Sequence, residues 1–219
     1  MYRKLDITTW NRKSQFEFFR DYDNPYFNIC SEVNVQKLYD YAEKNNLSFF
    51  ITSLYLSLKA ANEIDEFRCR ILDNDVVVYD SVNAGSTVLN NDDTFSFCYF
   101  DYLPDLQKFH DIASKLIKES AGESAELDPR KNELNMIHYS IIPWISFTSI
   151  SHPRNFNTGD SIPKIVFGKY SRKDKSLVMP VSIEVHHSLM DGLHVGRYLE
   201  LLQELYNNPG GKNTDNIIV

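Results

Sequence analysis

Apolar residues recur along this chain with two distinct periods. Before residue 187 they alternate. Val181, Ile183, Val185 and His187 share one side of the backbone, and Ser182, Glu184 and His186 share the other, which predicts a strand over Leu177–His187. A second strand is expected over Lys164–Tyr170, joined to it through a charged turn at Arg172–Lys175. Cys69–Leu72 and Val76–Tyr79 flank Asp73-Asn74-Asp75, a hairpin signal. Further strands are expected over Ser86–Asn90, Thr94–Phe100, Met136–Trp144 and Ser146–Ser151.

Helical periodicity marks four other segments. Val35–Asn45 reads as a helix entered at Asn34, a residue type favoured as an N-cap. Phe49–Asn62 is apolar almost all round and reads as a buried helix. In Pro104–Ser120, residues Leu106, Phe109, Ile112, Ala113, Leu116 and Ile117 form one stripe, with Pro104 suited to the first turn. Gly192–Asn207 is amphipathic, with Val195, Leu199, Leu202 and Tyr206 inward. Residues 121–132 are polar and read as an exposed loop. The segment from 208 to 219, with Gly210 and Gly211, reads as a flexible tail. The layout is α/β, with residues 1–207 forming one domain and no internal repeat. The absence of hexapeptide repeats excludes a left-handed β-helix.

Composition narrows the partners. The 219 residues suffice for a full core, and 13% aromatic with 24% charged residues describes a globular chain. A formal charge of −7 without a basic run argues against nucleic acid. Cys30, Cys69 and Cys98 are widely spaced, without a CxxC pair, and read as reduced, buried cytosolic cysteines. The N-terminus carries no apolar signal core and no stretch is long enough to span a membrane, so a cytoplasmic location is expected. Trp10 and Trp144 are expected in the core.

Candidate chemistry concentrates at His186-His187-Ser188-Leu189-Met190-Asp191-Gly192, where a strand meets a helix. Desolvation favours the neutral form of an imidazole, the form that accepts a proton, so His187 at the end of an apolar face suits a general base. Alternatives stand beside this reading. A lone histidine in a strand is commonly a packed core residue, and Asp191 could serve only as the N-cap of the last helix. His187 and Asp191 could also share a metal, although no third ligand pattern lies nearby and no metal is expected.

The motif closely resembles the HHxxxDG signature of the trimeric, CoA-dependent chloramphenicol acetyltransferases. Three further segments carry the resemblance in the right order: Trp10-Asn11-Arg12 with Phe16 to Phe19; Asp65 to Arg68 with Tyr79 to Val82 and Thr94 to Ser96; and Ser140 to Trp144 with Ser146, Phe147 and Gly168 to Tyr170. The resemblance implies a two-layer sandwich of a mixed β-sheet with packed helices, the CoA-dependent acyltransferase type. It also implies a homotrimer with active sites between subunits, and acetyl-CoA as co-substrate.

The implied reaction is direct acyl transfer. His187 takes the proton of an acceptor hydroxyl on chloramphenicol, the oxygen attacks the thioester, and Ser140 stabilises the resulting oxyanion. In relatives the base bonds its Nδ1 to its own backbone carbonyl and keeps Nε2 free. Asp191 pairs with Arg12 in a structural role, and Tyr170 contributes to the CoA channel. Phe18, Phe19, Phe95, Thr87 and Asp23 fall at positions of the acceptor pocket. Phe18-Phe19 lacks the tyrosine hydroxyl usual there, Asp23 and Pro25 stand where relatives carry Leu and Cys, Val166 replaces a threonine, and Lys164 replaces an apolar residue. Asp23 in an apolar drug pocket would be costly unless paired. These departures leave open a related enzyme with a different hydroxyl or amine acceptor. No acyl-enzyme is required, since there is no GxSxG elbow.

Overall fold

The computed structural model describes residues 1–120, 127, 130, 133–153 and 160–211. In chain order its elements are β1 (Tyr2–Lys4), α1 (Lys13–Phe19), β2 (Tyr26–Asn34), α2 (Gln36–Lys44), α3 (Phe49–Asn62), α4 (Asp65–Arg68), β3 (Cys69–Leu72), β4 (Asp75–Tyr79), β5 (Asn83–Leu89) and β6 (Phe95–Phe100). There follow α5 (Leu106–Ser120), β7 (Met136–Ile142), β8 (Lys164–Gly168), β9 (Ser171–Lys173), β10 (Ser176–His186) and α6 (Gly192–Asn207). The main sheet runs β2-β10-β8-β7-β5-β6, with β9 also paired to β10. Pairs β5/β7 and β7/β8 are parallel, and the rest of this sheet is antiparallel. A three-stranded antiparallel sheet, β1-β4-β3, stands apart. The architecture is the expected two-layer α/β sandwich with a mixed sheet.

Strand β10 organises the layers. Val181, Ile183 and Val185 join the core cluster together with Tyr139 and Ile165 of neighbouring strands and Leu54, Leu58, Val195 and Leu202 of the helices. The opposite face of β10 is covered as well: Ser182, Glu184 and His186 are all buried. Part of that cover is Phe147, which packs over Gly168 and Pro180 so closely that a Cβ on Gly168 would lie 2.8 Å from its ring. Buried hydroxyls tie the layers together. Ser57 of α3 bonds the hydroxyls of Tyr139 at 3.0 Å and Tyr198 at 2.5 Å. Desolvation pushes the Tyr198 hydroxyl above its ordinary range and keeps it neutral.

Several sequence expectations need correction. The segment expected as a strand over Ser146–Ser151 is irregular, and β7 ends at Ile142. Its apolar residue Phe147 anchors onto a sheet face, so its alternation does not mark ladder pairing. Trp144, expected in the core, is 62% exposed. Pro104 precedes α5, whose first turn is capped by Asp105 Oδ1 accepting from the Lys108 N–H at 2.9 Å. Ile112 of the α5 stripe is exposed. Helix α2 starts at Gln36, and Asn34 still supplies its amide oxygen to the Gln36 N–H at 3.0 Å. Cys69 and Cys98 are buried, whereas Cys30 is half-buried. The loop expected over 121–132 falls mostly outside the described residues, as do residues 212–219 of the expected tail.

Arg70 is a buried cation held by carbonyls. Its Nε donates to Leu134 O at 2.7 Å, its Nη1 to Phe67 O at 2.9 Å and Cys69 O at 2.5 Å, and its Nη2 to Met136 O. Burial lowers its pKa to about 10, still charged at neutral pH. These bonds fasten the entry of β7 to β3, and β7 carries Ser140. Arg70→Met keeps the stem but strands these carbonyls. It is expected to destabilise the fold by about 3 kcal/mol or more. Thermal unfolding at fixed protein concentration should show a marked drop in Tm.

Candidate active site

His187 lies one residue beyond β10, in a tight turn rather than at the end of the ladder. The His186 carbonyl accepts from Leu189 N–H at 3.0 Å and Met190 N–H at 3.2 Å, closing the turn. The His187 N–H donates to Pro25 O at 2.8 Å, which ties the turn to the start of β2. The imidazole packs against two aromatic rings. Phe19 stacks on it at 3.9 Å with a 9° interplanar angle, and Phe27 lies at 4.7 Å. His187 Nδ1 sits 3.2 Å from the carbonyl of Met190. A carbonyl only accepts, so Nδ1 carries the proton in this bond, and in the neutral ring Nε2 then has a free lone pair. The partner is therefore Met190 and not the histidine's own carbonyl, but the consequence for Nε2 is the same.

Behind the turn lies a charged network. Asp191 caps α6, accepting from Leu193 N–H at 3.0 Å. Arg12 Nη1 donates to its Oδ2 at 2.6 Å. Burial opposes ionisation of Asp191, yet Arg12 and His194 hold its carboxyl below the usual range. Arg12 precedes α1 and is itself buried, so the pair fixes the N-terminal segment against the helix that follows His187. The expected pairing of Arg12 with Asp191 is thus present, and it coexists with the capping role. Glu66 of α4 completes the group. Its carboxyl is held low, chiefly by the hydrogen bond from His194.

The remaining candidates divide into two places. Phe19 and Phe18 lie beside His187; Phe18 is 61% exposed and packs edge-on against Phe19 at 4.9 Å. Tyr22 joins them, within 5.4 Å of Phe18 and 5.3 Å of Phe19. Asp23 is exposed and two residues from Pro25, so it bears no burial cost in this chain. Ser140 lies elsewhere. It pairs with Val166, which pairs with Ser182 of β10. Tyr139 belongs to the core, so Ser140 faces away from the helices. Ser86 pairs with Tyr139, which places Thr87 alongside Ser140 on that same far face. Phe95 shares this face two residues from Phe97, the partner of Thr87. Phe27, in contact with His187, pairs with the core residue Val185. Ser182 is five residues before His187, about 17 Å along the strand, and Ser140 is two strands across, about 10 Å. The separation is roughly 20 Å, on opposite sides of the sheet. One chain does not bring His187 and Ser140 together.

Tyr170 borders a third feature. A cavity of about 310 Å³ is lined by Phe49, Phe50, Phe167, Lys169, Tyr170 and Met179, among others. The Tyr170 ring lies 5.2 Å from Phe49 and 5.7 Å from Tyr39. No group of three or more His, Cys, Asp or Glu side chains suited to a metal ion occurs among the described residues. Sequence reasoning missed Phe27, His194 and Glu66. The alternation of Phe27, Ile29 and Val33 could have revealed β2, and His194 stands at the capping-box position three residues after Asp191. Glu66 left no comparable signal.

A family model described as chloramphenicol acetyltransferase matches residues 1–203. Chloramphenicol acetyltransferase 3 of Escherichia coli is 32% identical over 213 residues, covering 94% of this chain and 98% of that protein. A solved chloramphenicol acetyltransferase structure superposes with a TM-score of 0.87 at 32% identity, over 94% of this chain and 100% of the other. A probable dihydrolipoamide acetyltransferase from Listeria monocytogenes shares the fold alone, with a TM-score of 0.67 at 12% identity over 92% of both chains. With the histidine turn, the Arg12–Asp191 pair and the mixed sheet in place, the chain belongs to the chloramphenicol acetyltransferase family of acyltransferases.

Proposed function

We propose that this protein transfers the acetyl group of acetyl-CoA to a hydroxyl of chloramphenicol, with His187 as general base. The observation that carries this reading is the Nδ1 contact with Met190, which leaves Nε2 to accept the hydroxyl proton. Stacking on Phe19 holds the ring in place and limits its access to water. Ser140 supplies a hydroxyl donor to the oxyanion as the acceptor oxygen bonds the thioester carbon. As the C–S bond breaks, the imidazolium returns the proton to the departing CoA thiolate, which leaves as the thiol. His187 therefore ends the cycle neutral, and no covalent enzyme intermediate is needed.

The separation of roughly 20 Å supports a site built from two copies, His187 of one facing Ser140, Thr87 and Phe95 of the next. A homotrimer satisfies this geometry, since a cyclic arrangement repeats one heterologous contact three times. Acetyl-CoA is assigned to the cavity beside Tyr170. Aromatic rings there offer stacking to a planar base, and Lys169 with the N-terminus of α3 offers positive potential to phosphates. Residues 1–207 are taken as one catalytic domain working in the cytoplasm, where acetyl-CoA and reduced cysteines are found. No described helix is long and apolar enough to cross a membrane.

The test is CoA thiol release from acetyl-CoA with and without chloramphenicol. Chloramphenicol-dependent release is expected. A folded, assembled protein that binds acetyl-CoA, ignores chloramphenicol and acetylates another alcohol or amine would overturn the acceptor. One observation favours that second reading: His138, Lys164 and Glu184 form a row of polar and charged neighbours two residues from Ser140, on the same face.

A further inference from the structure

The peptide bond between Met190 and Asp191 is gripped at both ends by histidines. Its carbonyl faces His187 Nδ1 at 3.2 Å, and its N–H donates to His194 Nδ1 at 3.1 Å. A peptide group is planar, so a bond that sets the direction of the N–H also sets the direction of the carbonyl. We propose that His194 is a positioning residue for the base, acting through this peptide to hold His187 in the tautomer with Nε2 free. The inference rests on the reading of His187 as general base.

His194 is built for that task. It is 5% exposed, so its ring has little freedom. Its Nε2 lies 3.3 Å from Glu66 Oε1. A carboxylate accepts, so Nε2 carries the proton and Nδ1 is left to receive the Asp191 N–H. Glu66 on α4 and Asp191 at the entry of its own helix face this ring, and Arg12 before α1 bonds the Oδ2 of Asp191. Asp191 Oδ1 stands 2.9 Å from the same Nδ1, so the grip on the peptide N–H belongs to the neutral ring: a ring protonated at both nitrogens would donate to that carboxylate instead. The resulting chain runs from Glu66 to His194, across the Met190–Asp191 peptide, to His187. Neutral imidazole exists in two tautomers, and only one presents a bare Nε2 while donating from Nδ1. A carbonyl turned away from Nδ1 would no longer select it. A capping box that served α6 alone would leave the state of His187 untouched, and this difference makes the proposal testable.

The experiment combines steady-state kinetics with nitrogen NMR of the His187 imidazole in the substrate-free, assembled protein. His194→Phe fills the space without an acceptor. It is expected to lower kcat by about 10- to 100-fold, by analogy with the partners that orient metal-bound imidazoles, with KM little changed. The His187 signals should shift from one tautomer toward a mixture. His194→Asn returns an oxygen near the place of Nδ1 and is expected to recover most of kcat and the single tautomer. A folded His194→Phe protein with wild-type kcat and unchanged His187 signals overturns the proposal. So does an equal loss of kcat in both variants with the His187 tautomer intact, which marks a structural role. If His194→Phe does not assemble, Glu66→Ala removes the outer anchor and is judged by the same two readouts. The NMR readout needs no acceptor, so it decides the positioning role even if chloramphenicol proves to be the wrong substrate.

Discussion

His187→Ala is expected to lower kcat for chloramphenicol acetylation by about four orders of magnitude, while acetyl-CoA binding stays close to wild type. General-base catalysis contributes roughly 10²- to 10⁴-fold, and the upper end applies here. The imidazole is held by stacking on Phe19 and by contact with the tilted Phe27 ring, and its Nδ1 is already committed to Met190. Water in the space left by alanine would have neither the basicity nor the fixed direction of Nε2. The cavity proposed for acetyl-CoA is lined from α3, β7, β8 and β10 and from the residues that follow β7 and β8, and residue 187 is not among its lining residues. Its occupancy should therefore be insensitive to the change. Thiol release and equilibrium binding, measured on the same preparation, check both halves. A loss of less than tenfold in kcat would remove His187 from the role of base.

The second large effect depends on the separation of His187 from Ser140. Ser140→Ala alone is expected to cost about 100-fold or more in kcat, as for other single oxyanion donors. With each site drawing His187 from one chain and Ser140 from another, the two inactive variants complement each other. Co-expression of His187→Ala with Ser140→Ala in equal amounts should restore activity to about a quarter of the wild-type sites, because a random cyclic assembly pairs an intact His187 with an intact Ser140 at that frequency. The recovered activity would exceed that of either variant alone by more than tenfold. Mixing the separately purified variants without dissociation should restore nothing, because their sites are already assembled. Co-expressed protein no more active than its parents would place both residues in one chain's site and contradict the register-based distance.

Much of the fold can be read in the residue pattern because it depends on local periodicity. The alternation along Val181, Ile183 and Val185 predicts β10, and the run Phe49–Asn62, apolar almost all round, predicts the buried helix α3 with matching ends. The hairpin of β3 and β4 follows from Asp73 and Asn74, which adopt φ of 50° and 68°, as a tight two-residue turn demands. Ser146–Ser151 misled for the converse reason. Phe147 sits against Gly168 and Pro180 because a sheet face needed cover, and a requirement set by distant residues leaves no period. Trp144, expected inside, is outside, since its position follows from the end of β7 and not from its own hydrophobicity.

The site divides in the same way. Residue types and their local setting are legible along the chain: an imidazole where a strand meets a helix, an aspartate four positions later able to cap that helix, and an Arg12 segment able to pair with it. These follow from short-range geometry and from the cost of leaving a helix end or a buried carboxylate without a partner. Other features came from long-range packing: that Glu66 stands behind His194, that Phe19 and Phe27 lie against the His187 ring, and that Ser140 lies roughly 20 Å away across the sheet. Those facts depend on strand register and on contacts between α4, α1 and α6, residues far apart in the chain. Long-range packing fixes them through the summed fit of many side chains, and no short stretch of sequence records that sum.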